Sequence, residues 1–87
     1  MNHKNLEVWH SSIELVKLVY KESHNLPGEE KFNLGSQIRR ASVSIPSNIA
    51  EGAARNSNKE NLHFLNIAMG STMELETQII LCKELAF

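Results

Sequence analysis

Four basic side chains lie near the middle of the chain, and their chemistry suits contact with phosphate. They are Arg39, Arg40, Arg55 and Lys59. Glu51 is the only acidic residue between positions 36 and 59, so this block carries a local charge of +3 in a chain whose formal net charge is −1. Guanidinium groups match phosphate oxygens through paired hydrogen bonds, and phosphate contacts supply much of the affinity for nucleic acids. The block predicts a surface that binds RNA or DNA.

An alternative interpretation pairs the same side chains with carboxylates. Arg55 follows Glu51 by four residues, the spacing of an ion pair within a helix. Arg39 and Arg40 would then meet acidic residues of the third helix or of another copy, since residues 60–87 carry a local charge of −3. Aromatic side chains that could stack on bases are few, so sequence-specific binding of single strands is not expected.

Two Glu-x-x-His spacings raise the question of a metal site. Glu7 precedes His10 by three residues, and Glu60 precedes His63 in the same way. This spacing supplies ligands in helical bundles that bind two iron or manganese ions. Both pairs begin helices, however, where the helix dipole already favours acidic side chains. We therefore expect no metal or other cofactor, and a two-metal carboxylate bundle is a remote alternative.

Side chains for nucleophilic catalysis are poorly placed. Cys82 lies on an apolar stripe with no histidine nearby in sequence, which is typical of an inert, buried thiol. The chain contains no aspartate, and none of its serines stands in a glycine-flanked turn that would expose a nucleophile. No catalytic residue is predicted, and the chain is not expected to be an enzyme.

Three amphipathic helices are predicted to carry these residues, at about 6–23, 34–54 and 58–85. Apolar residues recur every three or four positions in each segment, and no alternating pattern is long enough for a strand. Because the connections are short, successive helices should be antiparallel. The predicted fold class is all-α, an up-and-down antiparallel helical bundle that forms one domain over residues 1–87.

The third predicted helix is apolar on two sides. Ser57 and Glu60 match a capping box at its start. One apolar stripe contains Phe64, Ala68, Ser71, Leu75, Ile79 and Cys82, and the other contains Leu62, Leu65, Met69, Thr72 and Ile79. Such a pattern is typical of an inner helix with two neighbours. Three helices also leave one groove uncovered, between the first and the third, which a fourth helix would fill.

The second predicted helix contains Pro46, which removes a backbone donor and costs about 3 kcal/mol in an ordinary helix interior. We expect a curved helix in which nearby serine hydroxyls help to satisfy the displaced Ser42 carbonyl. Small residues around the proline would let another backbone approach closely. The predicted interface between copies consists of Val43, Pro46, Ala50 and Ala54. The alternative is a tolerated kink beside an ordinary alanine-rich surface.

Length and composition limit the remaining possibilities. With 87 residues, 41% of them hydrophobic, the chain has one small core of the kind that oligomerisation often stabilises. A single cysteine excludes an internal disulfide and fits a reducing compartment. No apolar run is long enough for a membrane span, and no export leader is evident, so a soluble cytoplasmic protein without a membrane partner is expected.

The segment QIRRASVSIPSNIAEGAARNSNKENLHFLNIAMGSTMELETQIILCKEL, residues 37–85, resembles the helical-bundle proteins encoded within intervening sequences of 23S ribosomal RNA. It is also similar to the accessory variability proteins of diversity-generating retroelements. The likeness extends forward through Trp9, Val19-Tyr20 and Leu26-Pro27, and so covers essentially the whole chain.

This resemblance implies a four-helix bundle that assembles into a pentameric ring. For the retroelement relatives it also implies a basic surface that binds nucleic acid and a reverse transcriptase. For the members encoded in ribosomal RNA it implies no established catalytic activity. The chain departs from the family pattern in lacking a fourth helix.

The resulting functional prediction is a non-enzymatic, self-assembling helical-bundle protein that binds RNA or DNA through a repeated basic surface. The first alternative is a scaffold for other proteins, without affinity for nucleic acid. The two-metal bundle is the remote alternative.

Overall fold

A computed structural model describes residues 2–87, and three α-helices make up most of this range. They are α1 (Glu7–Ser23), α2 (Leu34–Ala53) and α3 (Asn58–Glu84). Short 3₁₀ turns precede α1 at His3–Asn5 and α2 at Gly28–Lys31. No strand occurs among the described residues. The all-α class and the antiparallel packing of three helices predicted from the sequence are confirmed.

Local chemistry explains where α1 ends and where α3 begins. Pro27 is extended, and Gly28 follows with a φ of +47°, a left-handed conformation that glycine adopts without steric cost. The hydroxyl of Ser57 accepts a hydrogen bond from the backbone N–H of Glu60 at 3.2 Å, which caps the first turn of α3. These residues turn the chain back on itself twice.

The core lies along one stripe of α2, which packs against both α1 and α3. The buried α2 side chains meet Val19 of α1 and Ala68 and Leu75 of α3. The α2 residues in this core are Leu34, Ile38, Ala41, Ile45 and Ile49. These residues are spaced three or four positions apart, so each lies about one helical turn from the next on the same side of α2.

Within the chain the inner helix is therefore α2, and the second neighbour predicted for α3 is not found in residues 2–87. Only Ala68, Leu75 and Gln78 are buried among the 27 residues of α3. Its first apolar stripe packs on α2, while much of its second stripe is exposed. The apolar pattern alone could not tell a neighbour within the chain from one outside it.

Close packing between α2 and α3 depends on small residues. A Cβ atom added to Gly52 would lie 3.1 Å from both the Asn61 carbonyl oxygen and the Phe64 Cβ atom. Further along the contact, the hydroxyls of Ser44 and Ser71 lie 2.7 Å apart in a hydrogen bond between the helices. The two backbones therefore approach along a surface with little side-chain volume.

Helix α2 runs through Pro46 without interruption from Leu34 to Ala53. The expectation that serine hydroxyls would satisfy the Ser42 carbonyl is wrong. The fully buried Ser42 hydroxyl donates instead to the Arg39 carbonyl at 2.8 Å, and Ser47 donates to the Val43 carbonyl, also at 2.8 Å. These hydroxyls bond to carbonyls of the preceding turn because that is where a serine side chain in a helix can reach.

Between α1 and α3, the structure leaves an open apolar groove of about 300 Å³. Its lining residues come from all three helices and include Leu15, Leu18, Ile38, Ile79 and Cys82. This is the groove that the sequence places between the first and third helices. Among the described residues, no helix is long and apolar enough to cross a membrane.

Candidate nucleic-acid interface

Arg39 ties the end of α1 to the start of α2. Its guanidinium donates one hydrogen bond to the Ser23 hydroxyl at 3.0 Å and another to the Lys31 carbonyl at 2.8 Å. The same group lies 6.0 Å from the centre of the Tyr20 ring. Two of its N–H donors are therefore engaged within the chain, so Arg39 contributes to the fold at this position.

Arg40 is exposed on a different side of α2, facing α3. It lines an open polar depression together with Gln37, Ser44, Ser71 and Glu74. Within the described residues Arg40 makes no ion pair, although Glu74 borders the same depression. The adjacent arginines thus occupy different environments, since neighbours in a helix are rotated by about 100°.

Arg55 and Lys59 lie together at the turn between α2 and α3. Arg55 pairs with Glu51 at 3.1 Å, as the alternative interpretation predicts, and its guanidinium stacks over the Phe64 ring at 4.7 Å from the ring centre. An open depression beside this turn is lined by Arg55, Lys59, Glu60, His63 and Phe64. We call Arg55 and Lys59 the turn cluster.

The four basic residues of the sequence prediction do not form one patch. From Arg40 to the last residue of α2, Ala53, is about 20 Å at 1.5 Å per residue, and Arg55 lies beyond that end. Arg39 faces α1, Arg40 faces α3, and the turn cluster lies near the other end of the molecule. Their closeness in sequence did not reveal this separation, because it depends on helix rotation and length.

The small-residue face of α2 is partly covered by α1. Val43, Pro46 and Ala50 line a shallow depression whose other wall includes Trp9 and Ile13. Pro46 is buried, Val43 and Ala54 are exposed, and Ala50 is intermediate. The assignment of these four α2 residues to an interface between copies stays a prediction.

A larger apolar surface lies on α3, on the side turned away from its core residues. Leu62, Met69, Met73 and Ile80 are 57%, 60%, 48% and 50% exposed. At about 100° per residue these four side chains fall within a narrow stripe. We call this stripe the outer face of α3. Two of its members, Leu62 and Met69, belong to the second apolar stripe predicted for the third helix.

The Glu-x-x-His pairs do not converge. His10 instead donates through Nε2 to the Lys4 carbonyl, at 2.6 Å. In residues 2–87, no group of three histidine, cysteine, aspartate or glutamate side chains is arranged to hold a metal ion.

Cys82 lies in the groove between α1 and α3. Burial raises the pKa of this thiol, and the negative charge of Glu30 raises it further. Both effects favour the neutral thiol over the nucleophilic thiolate.

Comparison with known proteins places the chain in a family. No curated protein is significantly similar to it in sequence. The family model described as 23S rRNA-intervening sequence protein matches residues 4–87, which include all three helices, the turn cluster and the outer face of α3. Because this match covers nearly the whole chain, the protein belongs to the 23S rRNA-intervening sequence protein family.

Proposed function

We propose that this protein is a non-enzymatic helical-bundle protein that associates with copies of itself and binds RNA or DNA through the repeated turn cluster. The observation that carries the proposal is the extent of apolar surface on α3. The turn cluster, present once in each copy, supplies the basic groups.

Self-association would cover apolar surface that the single chain leaves in water. The outer face of α3 alone exposes four large side chains along most of the helix. On the flanks of α3, Leu65, Ile67, Ile79 and Leu81 are between 38% and 50% exposed. Large contiguous apolar patches on soluble proteins usually mark sites of interaction. In a chain of 87 residues with a small core, their burial would also add stability.

Nucleic-acid binding would use Arg55 and Lys59 next to the first turn of α3. Stacking on Phe64 restricts the Arg55 guanidinium, so less side-chain freedom is lost on contact with phosphate. The N-terminal end of α3 adds a partial positive charge at the same place. One such cluster binds weakly, but several clusters in one assembly bind together with a much higher overall affinity.

The assembly is tested by sedimentation velocity over a wide range of chain concentration. We expect a homo-oligomer, and the family resemblance implies five copies. A single copy at the highest concentration would overturn this part of the proposal.

Nucleic-acid binding is tested by fluorescence anisotropy with a labelled RNA and a labelled DNA at several salt concentrations. The variant Arg55→Gln/Lys59→Gln should lose most of its affinity for nucleic acid. The slope of log affinity against log salt concentration should also become shallower, by an amount that corresponds to the loss of up to about two phosphate contacts per copy. The matched control, Lys17→Gln/Lys21→Gln, removes the same charge from α1 and should bind like the wild type. Equal binding by both variants would exclude the turn cluster.

A protein scaffold is the second candidate, and the acidic neighbours of the turn cluster favour it. Glu51 already pairs with Arg55, and Glu60 lines the depression beside the turn cluster. These two carboxylates lower the positive electrostatic potential of the turn cluster. An assembled protein that binds neither RNA nor DNA at low salt would support the scaffold over the nucleic-acid proposal.

A further inference from the structure

Phe64 supports the guanidinium of Arg55 beside the turn between α2 and α3. The Arg55 Cζ atom lies 4.7 Å from the centre of the Phe64 ring. The His63 ring contacts Phe64 edge-on, with 5.2 Å between the ring centres and 74° between the ring planes. Phe64 also packs on Gly52, where an added Cβ atom would lie 3.1 Å from the Phe64 Cβ atom. Three contacts therefore restrict the ring on which the guanidinium rests.

One face and one edge of the Arg55 guanidinium are occupied within the chain. The Phe64 ring covers the face, and the Nη2 atom lies 3.1 Å from a carboxylate oxygen of Glu51. The Arg55 side chain is nevertheless 40% exposed, and it lines an open depression of about 580 Å³. The outer face of the guanidinium is therefore open to solvent. A guanidinium plane stacks on the faces of nucleic-acid bases as well as on aromatic side chains.

Charge alone gives this depression little affinity for phosphate. Arg55 and Lys59 carry two positive charges, but the carboxylates of Glu51 and Glu60 bring two negative charges to the same place. Non-specific binding of duplex DNA depends on neutralisation of its phosphates, and a site of balanced charge achieves little of it. Such a site needs a further contact to retain a strand, and stacking on a base provides one for any sequence.

We infer that the depression beside the turn cluster binds an unpaired nucleotide, with its base stacked on the outer face of the Arg55 guanidinium and an adjoining phosphate held by Lys59. This inference rests on the proposed function and specifies single strands as the class of nucleic acid. A base within a duplex has both faces covered by neighbouring bases, whereas an unpaired base has a free face. Because every base offers such a face, no sequence preference is expected.

The size and the side chains of the depression suit one nucleotide. Its volume lies within the range of about 300–1,000 Å³ that is usual for small-molecule sites. Lys59 precedes His63 by four residues, so the two side chains project from the same side of α3, and both line the depression. Their ring and ammonium nitrogens supply donors for a phosphate next to the stacked base.

Two strands of equal phosphate content test the role of the base. One is a labelled oligothymidine, and the other has the same length but carries an abasic sugar at every position. Fluorescence anisotropy at low salt should show about fivefold or higher affinity for oligothymidine, since stacking on a protein side chain contributes this much for one base. A second set made from oligouridine shows which of DNA and RNA binds more tightly. Equal affinity for strands with and without bases, in both sets, would overturn the inference.

The variant Arg55→Lys tests the guanidinium without changing the charge of the turn cluster. Lysine has no planar face, so the preference for the strand with bases should fall to about twofold or less. The matched control is Arg40→Lys, the same substitution at an exposed arginine that stacks on no ring within residues 2–87. It should keep the full preference. An unchanged preference in Arg55→Lys would mean that bases stack elsewhere, which would overturn the inference.

A duplex separates this inference from the proposed function. Oligothymidine paired with its complement has a higher density of phosphate but free base faces only at its ends, so the duplex should bind more weakly than oligothymidine alone. Tighter binding of the duplex would overturn the inference and leave the proposed binding of nucleic acid intact. If neither the single strands nor the duplex bound at low salt, the inference and the proposed binding of nucleic acid would fail together.

Discussion

At the scale of single residues, Arg39 shows how a candidate binding group can serve the fold. Its guanidinium connects Ser23 at the end of α1 to the Lys31 carbonyl before α2. The sequence offered no sign of this role, because one partner is a hydroxyl and the other a backbone carbonyl. Neither has a charge that would predict pairing with arginine.

We therefore predict that Arg39→Ala lowers the free energy of unfolding by about 1–2 kcal/mol, because it removes two hydrogen bonds from a charged donor. Arg40→Ala, one residue away and exposed, should change it by less than about 0.5 kcal/mol. Urea denaturation at a fixed chain concentration measures both. If the two variants were equally stable, the contacts of Arg39 would contribute nothing to the fold.

Gln78 is a buried polar residue with an incomplete set of hydrogen bonds. Its side-chain nitrogen donates to Glu74 at 3.1 Å, but its buried Oε1 atom has no hydrogen-bond partner in residues 2–87. A buried acceptor without a donor costs about 1–3 kcal/mol. The side chain is only 5% exposed, so water in bulk does not compensate.

Gln78→Met should consequently raise the free energy of unfolding by about 1 kcal/mol, since it keeps the length of the side chain and removes the unpaired oxygen. Gln37→Met makes the same change at an exposed position of α2 and should have little effect. The comparison uses urea denaturation with both variants at one chain concentration. A loss of stability on Gln78→Met would mean that the Gln78–Glu74 bond outweighs the unpaired acceptor.

At the scale of helices, the contact between α2 and α3 depends on the absence of a side chain at Gly52. We predict that Gly52→Ala destabilises the chain by about 1–3 kcal/mol, although alanine is the better helix former. The added methyl group would press on the Asn61 backbone and on Phe64, and backbone cannot move aside cheaply.

Gly70→Ala is the matched control for this prediction. Measured at dilution where copies are separate, it should leave stability unchanged or raise it by up to about 1 kcal/mol, because its methyl group meets open space. Thermal unfolding followed by circular dichroism distinguishes the two variants. A stabilising effect of Gly52→Ala would contradict the close approach of the helices.

Helix periodicity made most of the architecture predictable from the sequence. Apolar residues at every third or fourth position predicted all three helices, and their number predicted the groove between α1 and α3. The helix ends differ from the expected ones by at most one residue. Periodicity does not specify whether the second apolar stripe of α3 is covered by a neighbour within the chain or by one outside it. An exposed apolar face and a buried one look alike in sequence.

The candidate site was less predictable, because it depends on where helices put side chains in space. Sequence proximity grouped Arg39 and Arg40 with the turn cluster, but helix rotation separates the two arginines and helix length separates both from Lys59. The ion pair of Arg55 with Glu51 was foreseeable, since it lies within one helix at a spacing of four residues. Local pairs can be read from spacing, whereas contacts between elements cannot.

At the scale of the whole molecule, the chain is a narrow three-helix body of about 45 × 19 × 17 Å. The outer face of α3 and the groove between α1 and α3 are both apolar, and both involve α3. The basic groups lie elsewhere, at the turn between α2 and α3 and on the flank of α2. Association through α3 would therefore bury apolar surface and leave the turn cluster accessible for nucleic acid.

Thermal stability should accordingly depend on chain concentration. If copies associate when folded and separate on unfolding, mass action stabilises the folded state as the concentration rises. A hundredfold increase contributes about 2.7 kcal/mol to a dimer. Because this free energy is shared between the two chains of the dimer, the Tm of a chain of this size should rise by about 5–10 °C. Calorimetry or circular dichroism at matched buffer and heating rate measures the shift.

Two variants test whether the outer face of α3 causes this rise of the Tm with chain concentration. Met73→Lys should abolish the concentration dependence, because association through the outer face of α3 would remove the charged side chain from water. Phe32→Ser removes the most exposed of the large apolar side chains, outside that face, and should retain the dependence. A wild-type Tm that is constant over the hundredfold range would contradict association coupled to folding, since only a folded single copy is insensitive to its own concentration.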